Sequence, residues 1–213
     1  EVASSLAIAT VTDLLLRRFI MPQFSGEGLD PSSDQIGDWL REAVQKANER
    51  IHAERANRGS DMGTTLVVAL ISGQTAYIAN VGDSRAYILP PATGEGQALR
   101  QVTEDHSLVQ RLQTMGQISA EEAKYHPYRN MIYKSLGERP QVEIDLFREA
   151  VVAGSRLLLC SDGLSGMVSD PDLAAILAAD ADPHAACARM IAAANAAGGM
   201  DNITAVTVYI DAQ

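Results

Sequence analysis

Residues 64–89 read TTLVVALIS, then GQ, then TAYIANV, then GDS, then RAYIL. Three largely apolar, β-branched runs are separated by the glycine pairs Gly73-Gln74 and Gly82-Asp83. Branching at Cβ suits a pleated backbone, and glycine supplies the positive φ that tight turns need. The pattern predicts strands over 64–72, 75–81 and 85–89, joined as an antiparallel meander.

The flanks have a different texture. Upstream, Ile8, Val11, Leu15 and Phe19 recur at helical spacing, which predicts a helix over 2–20 with those residues on one face. Pro22, Gly26, Gly28 and Pro31 predict a loop over 21–31. A second helix is expected over 33–57. Ser32 and Gln35 form its capping box, Ile36, Leu40, Ala43, Ala47 and Ile51 its buried stripe, and Arg58-Gly59 its end. Downstream, a loop over 90–96 leads to a strand over 97–102. Residues 107–136 form a polar helical insert: one helix over 108–116, and a second opened by Ser119 and Glu122. Strands follow over 142–147 and 156–160, helices over 173–177 and 185–197, and a last strand over 203–210. Helices are segregated from strands rather than alternating with them. That order predicts an α+β fold with mainly antiparallel sheets, in one domain spanning 1–213.

Composition narrows the function. Apolar residues make up 46% of the 213 positions, enough for a packed core. The net charge of −10 argues against nucleic acid and against an anionic membrane surface. A phosphorylated substrate stays compatible, because bound cations reverse the local sign of an acidic site. No apolar run approaches the ~18 residues of a membrane span, so no membrane segment is expected in this chain. Cys160 and Cys187 stand far apart with no C-x-x-C pair, which points to a reducing, cytoplasmic compartment.

Three acidic residues sit at glycine-marked turns beside strands: Asp83 in VGDSR, Asp162 in LCSDG and Asp201 in GGMDN. Each alone reads first as a turn residue. Together they read as carboxylates that rigid strand ends could bring into one crevice. Like charges at such closeness repel and take up protons unless a cation joins them. An all-oxygen donor set suits Mg²⁺ or Mn²⁺ rather than Zn²⁺. His52, His106, His126 and His184 show no paired ligand spacing. Two hard cations a few Å apart supply a water of lowered pKa for in-line attack on phosphorus, so no nucleophilic side chain is required. Cys160 follows Leu157-Leu158-Leu159 and reads as a core thiol; Ser161 lies in no G-x-S-x-G elbow. Arg85 is expected to pair with a nearby carboxylate, Asp105 to cap the insert's first helix, and His106 and His126 to be surface or hydrogen-bonding residues rather than ligands.

Five ordered segments, Met62-Gly63-Thr64-Thr65, Val81 to Tyr87, Thr103-Glu104-Asp105-His106-Ser107, Leu158 to Leu164 and Gly198 to Thr204, together resemble the motif series of bacterial type 2C serine/threonine protein phosphatases. His126-Pro127-x-Arg129-Asn130 resembles that family's flap. The resemblance implies a four-layer α-β-β-α sandwich and metal-dependent hydrolysis of phosphoserine and phosphothreonine. It implies two core Mn²⁺ or Mg²⁺ ions, with Asp162 and Asp201 as ligands, and a third, weaker ion at Asp83 that Asp162 also touches. Asn202 would orient Asp201, Gly163 would stand beside the ligands, and residues 107–136, including His126, Arg129 and Asn130, would form the flap at the cleft. The implied partners are phosphorylated proteins, namely a cognate kinase or its targets. The family's Arg and D-G-M-G-G-H segment, which carries a bridging aspartate, does not occur in these residues. The expectation is therefore a phosphatase domain without its N-terminal strands. The alternative is an inactive or truncated form that acts as a phosphoprotein-binding or regulatory module.

Overall fold

The structure, a computed structural model, describes residues 1–24, 31–91 and 98–211. In chain order the first elements are α1 (Val2–Leu15), a π-helical turn (Leu16–Ile20), α2 (Met21–Phe24) and α3 (Ser33–Arg58). Next come β1 (Leu66–Ser72), β2 (Thr75–Val81), β3 (Arg85–Leu89), β4 (Arg100–Gln101), α4 (Leu108–Thr114) and α5 (Ala120–Tyr125). The remainder is β5 (Asp145–Ala150), β6 (Arg156–Cys160), α6 (Asp162–Ser165), α7 (Asp170–Ala179), α8 (Pro183–Ala196) and β7 (Ala205–Tyr209).

Two antiparallel sheets form, ordered β1-β2-β5 and β4-β3-β6-β7. Side chains alternate across each strand, and that period of two assigns the layers. On β2, Tyr77, Ala79 and Val81 pack under α1 and α3, while Ala76 and Ile78 face the other sheet. On β6, Leu157 and Leu159 pack between the sheets, while Leu158 and Cys160 meet Leu173, Leu177 and Met190 of α7 and α8. Three apolar interfaces thus separate four layers, the α-β-β-α sandwich that the resemblance implied.

The two expected capping boxes hold. Ser32 accepts from the Gln35 amide while Gln35 reaches back to the Ser32 amide, and Gly59 closes α3 at φ 59°. Ser119 and Glu122 make the same box on α5. The first helix departs from its pattern. Its buried face is Ala3, Ala7, Val11, Leu15 and Phe19, an i+4 ridge that packs on α3, and Ile8 is 63% exposed. The helical path continues through Phe24, so residues 21–24 are not the loop expected there; the rest of that expectation, residues 25–30, lies outside the described ones. The loop expected over 90–96 also falls mostly outside them, and the strand expected over 97–102 is the two-residue β4. The strand expected over 142–147 is laddered over Asp145–Ala150, with Val142 and Ile144 packed against the first core beside it.

The meander itself breaks after β2. β1 and β2 form the expected hairpin, with Ser72 opposite Thr75. β3 instead pairs with β4 and β6 in the other sheet. The free edge of β2 is taken by β5, so the chain must change layers at Gly82, where φ is 109°. A Cβ there would stand 2.4 Å from Thr65 Cγ2. In the segment over 107–136, expected as an insert, Ser107 bridges Ile132, and Leu136 bridges Thr64 just before β1. Among the described residues no helix is long and apolar enough to cross a membrane.

Asn48 ties α3 to the segment that leaves the insert. Fully buried, it accepts from the Gly137 amide (2.8 Å) and donates to the carbonyls of Arg139 (2.9 Å) and Pro140 (3.1 Å). Asn48→Ala strands the buried Gly137 amide, at a cost of about 1–3 kcal/mol, opens a cavity in the core, and removes its bonds to the Arg139 and Pro140 carbonyls, of which the second keeps Gln45 Nε2 (3.0 Å). Urea denaturation is expected to show a loss of about 2–4 kcal/mol; a loss below about 1 kcal/mol contradicts this role.

Candidate active site

Strand register decides where the three aspartates lie. Arg85 at the start of β3 pairs with Cys160 at the end of β6, and Cys160 pairs with Ala205 at the start of β7. Asp83 precedes β3 by two residues, Asp162 follows β6 by two, and Asp201 lies four before β7. All three therefore stand at one end of the four-stranded sheet. Asp83 occupies the inter-sheet crossing rather than a hairpin, as the fold required.

Electrostatics joins them through Asp162. Partial burial, then the neighbouring Asp162, push the Asp83 carboxyl up from 3.8 to about 6, with Asp105 adding to the repulsion and Arg85 opposing it. The Asp162 carboxyl is raised as well, first by burial and then by Asp201. These are carboxylates whose charge the fold leaves uncompensated, which a proton or a hard cation relieves. Among the described residues, no three His, Cys, Asp or Glu side chains stand close enough together to form a ligand group by themselves. The carboxylates influence one another pairwise, Asp162 raising Asp83 and Asp201 raising Asp162. Their all-oxygen chemistry fits a small divalent ion that keeps part of its water shell.

The backbone around Asp162 is fixed by close approach. Ser161 Oγ donates to the Asn202 carbonyl (3.0 Å) and accepts from the Thr204 amide (3.0 Å). Gly163 lies so near that a Cβ would meet the Asn202 oxygen at 2.4 Å. The Asn202 amide donates to Asp201 Oδ1 at 2.6 Å, so the expected orientation of Asp201 comes here from the Asn202 backbone. Gly198 and Gly199, at φ 127° and 53°, turn the chain from α8 into this loop.

One expectation about neighbours changes, and one is narrowed to its hydrogen-bonding alternative. Asp105 does not cap α4; Ser107 does, accepting from Gln110 N. Asp105 instead binds Arg85, with Nη2 donating to Oδ2 at 2.7 Å and Nε to Oδ1 at 2.9 Å. Arg85 thus pairs with a carboxylate as expected, and Gln101 donates to the same group. His106 is no surface residue: it is 2% exposed and bonded at both ring nitrogens. A single histidine after Glu104-Asp105 carries no pattern that reports burial, and only its partners reveal it. In the insert, His126 accepts from the Tyr128 amide (3.2 Å), and Arg129 and Asn130 are exposed.

With this geometry in place, likeness to known proteins identifies the family. The sequence pattern of Protein phosphatase 2C matches residues 6–112. Serine/threonine phosphatase stp of Listeria monocytogenes is 41% identical over 182 residues, 84% of this chain and 70% of the relative. The chain belongs to the protein phosphatase 2C family. Among solved structures, the serine/threonine phosphatase PstP/Ppp of Mycobacterium tuberculosis superposes with a TM-score of 0.83 at 35% identity, covering 99% of this chain and 82% of that one. The catalytic domain of PstP in complex with 2 manganese ions gives a TM-score of 0.79 at 33% identity, covering 99% and 81%.

The crowding at Gly163 is testable without turnover. Gly163→Ala must push the 201–202 turn away from Asp162, and calorimetric titration with Mn²⁺ is expected to show affinity lower by about tenfold or more. An unchanged affinity contradicts the placement of Asp201 beside Asp162.

Proposed function

We propose that this chain hydrolyses phosphoserine and phosphothreonine in proteins, using Asp162, Asp201 and Asp83 as metal ligands. The observation that carries the reading is the register of β3, β6 and β7, which puts three aspartates at one sheet end, with Asp162 repelling Asp83 and Asp201 repelling Asp162. Family membership supports the activity, and the two manganese ions of the PstP catalytic domain support Mn²⁺. Two core ions at Asp162 and Asp201, a third at Asp83, and Mg²⁺ as an alternative metal complete the proposal.

Bound divalent ions supply a water of lowered pKa and neutralise phosphoryl oxygens. The chain's own residues do the rest. Asp162 and Asp201 hold their carboxylates at fixed separation, because Ser161 staples one turn to the other. Arg85 is bonded to Asp105 and the Tyr87 hydroxyl (3.0 Å), so it only partly offsets the repulsion on Asp83 and makes no hydrogen bond to it. Cys160 does not compete as a nucleophile, since burial pushes its thiol up to about 12. The insert, with exposed Arg129 and Asn130 and with His126, stands as the flap that meets phosphorylated protein substrates, a cognate kinase or its targets. Residues 1–213 act as one domain, and the free thiols Cys160 and Cys187 agree with a reducing cytoplasm. The D-G-M-G-G-H pattern is not among the 213 residues, so activity of this chain by itself is the informative test.

A phosphothreonine peptide incubated with the chain is expected to release phosphate with Mn²⁺ and not with EDTA. Asp162→Ala is expected to reduce turnover by far more than about tenfold. Absence of metal-dependent turnover, with the phosphopeptide still retained by the folded chain, contradicts hydrolysis by this chain and favours a phosphoprotein-binding module.

A further inference from the structure

We propose that His106 is a positioning residue for Asp83: its ring fixes the Gly82 backbone and so the direction in which the next carboxylate points. The proposal rests on the reading of Asp83 as a metal ligand. Its basis is the number of groups that His106 brings to one turn. The Gly82 amide donates to His106 Nδ1 at 3.0 Å, and the His106 amide donates to the Gly82 carbonyl at 3.0 Å. One residue therefore grips both polar groups of the glycine that precedes Asp83. Asn80 Nδ2 also donates to the Gly82 carbonyl at 3.3 Å.

The partners set the tautomer. An amide can only donate, so Nδ1 accepts and the ring proton lies on Nε2. Nε2 then donates to Asp145 Oδ2 at 2.9 Å. Asp145 sits on β5 opposite Asn80 of β2, and Lys134 reaches its second oxygen at 3.6 Å. The imidazole is thus held between a strand of the first sheet and the crossing to the second. It is also tied to the insert, since the Tyr133 amide donates to the His106 carbonyl at 2.9 Å and Ser107 bridges Ile132. No other standard side chain accepts at the γ-attached position while donating one atom further on, in a single planar unit. Gly82 needs such a grip because its φ of 109° is held by no side chain of its own.

Two near-isosteres separate the ring's two bonds. In His106→Asn the side-chain oxygen takes the place of Nδ1, so the Gly82 bond survives and the Asp145 bond is lost. In His106→Gln the amide reaches Asp145, and the Gly82 amide loses its partner. A purely structural histidine predicts that both variants lose thermal stability and leave metal binding alone. Positioning predicts that His106→Gln raises the Mn²⁺ concentration for half-saturation of the weakest site by about tenfold or more, and His106→Asn by less than about threefold. Mn²⁺ calorimetry and the Mn²⁺ dependence of turnover on the full chain read this, with Asp83→Ala setting the scale. Asp145→Ala leaves the ring free to carry its proton on Nδ1, which Asn cannot do, and so to release the Gly82 amide; it is expected to shift the same site in the same direction by less than His106→Gln, and serves where His106→Gln does not fold. Equal effects of Asn and Gln, or no shift with Asp145→Ala, overturn the proposal while Asp83→Ala still shifts the site. If Asp83→Ala shifts nothing, Asp83 is not a ligand, and the proposal falls with that reading.

Discussion

Gly82 carries the chain from one sheet to the other, and the space there is too small for a side chain. Its positive φ and the contact with Thr65 make that crossing a backbone constraint, and much of the active end follows from it. Because the crossing is short, β3 begins beside the end of β6, and the register of β3, β6 and β7 is then set by inward and outward alternation of apolar residues. A slip of one residue would turn Leu158 and Cys160 away from the helices and Leu157 away from the inter-sheet core. Core packing therefore fixes the same register that aligns Asp83, Asp162 and Asp201.

The charges make sense only against that rigidity. Repelling carboxylates are costly in a fold that leaves them partly buried, and a flexible chain would move them apart. Here Ser161, Gly163 and the Gly198-Gly199 turn prevent Asp162 and Asp201 from separating, while Arg85, the nearby cation, is committed to Asp105. On the proposed reading, an acidic protein of net charge −10 binds an anionic phosphoryl group because divalent cations held at these carboxylates would reverse the local sign.

Much of this was legible in the sequence, and the parts that were not share a cause. The capping boxes at Ser32 and Ser119, the stripe of α3, and strands β2, β3 and β6 follow from local chemistry, and the sequence states local chemistry directly. The three aspartates were legible as a set because glycine marks each turn. The pairing of β3 was not, since a Gly-Asp turn looks the same whether the chain folds back in one sheet or crosses to another. Ile8 was misplaced because two helical ridges were available, and only packing of Ala3 and Ala7 on α3 selects between them. Asp105 was misread, and His106 was foreseen as hydrogen-bonding but not as buried, for the same reason: their partners, Arg85, Gly82 and Asp145, lie 20 to 39 residues away in sequence.

The central claim is that this sheet end collects divalent cations on these aspartates. Crystals of the chain soaked in MnCl₂ and measured at the manganese absorption edge test it most directly. The account predicts anomalous peaks in coordination contact, about 2.1 Å, with the carboxylates of Asp162 and Asp201, and a weaker one at Asp83. Strong manganese peaks elsewhere on the molecule, with none at these carboxylates, would contradict it.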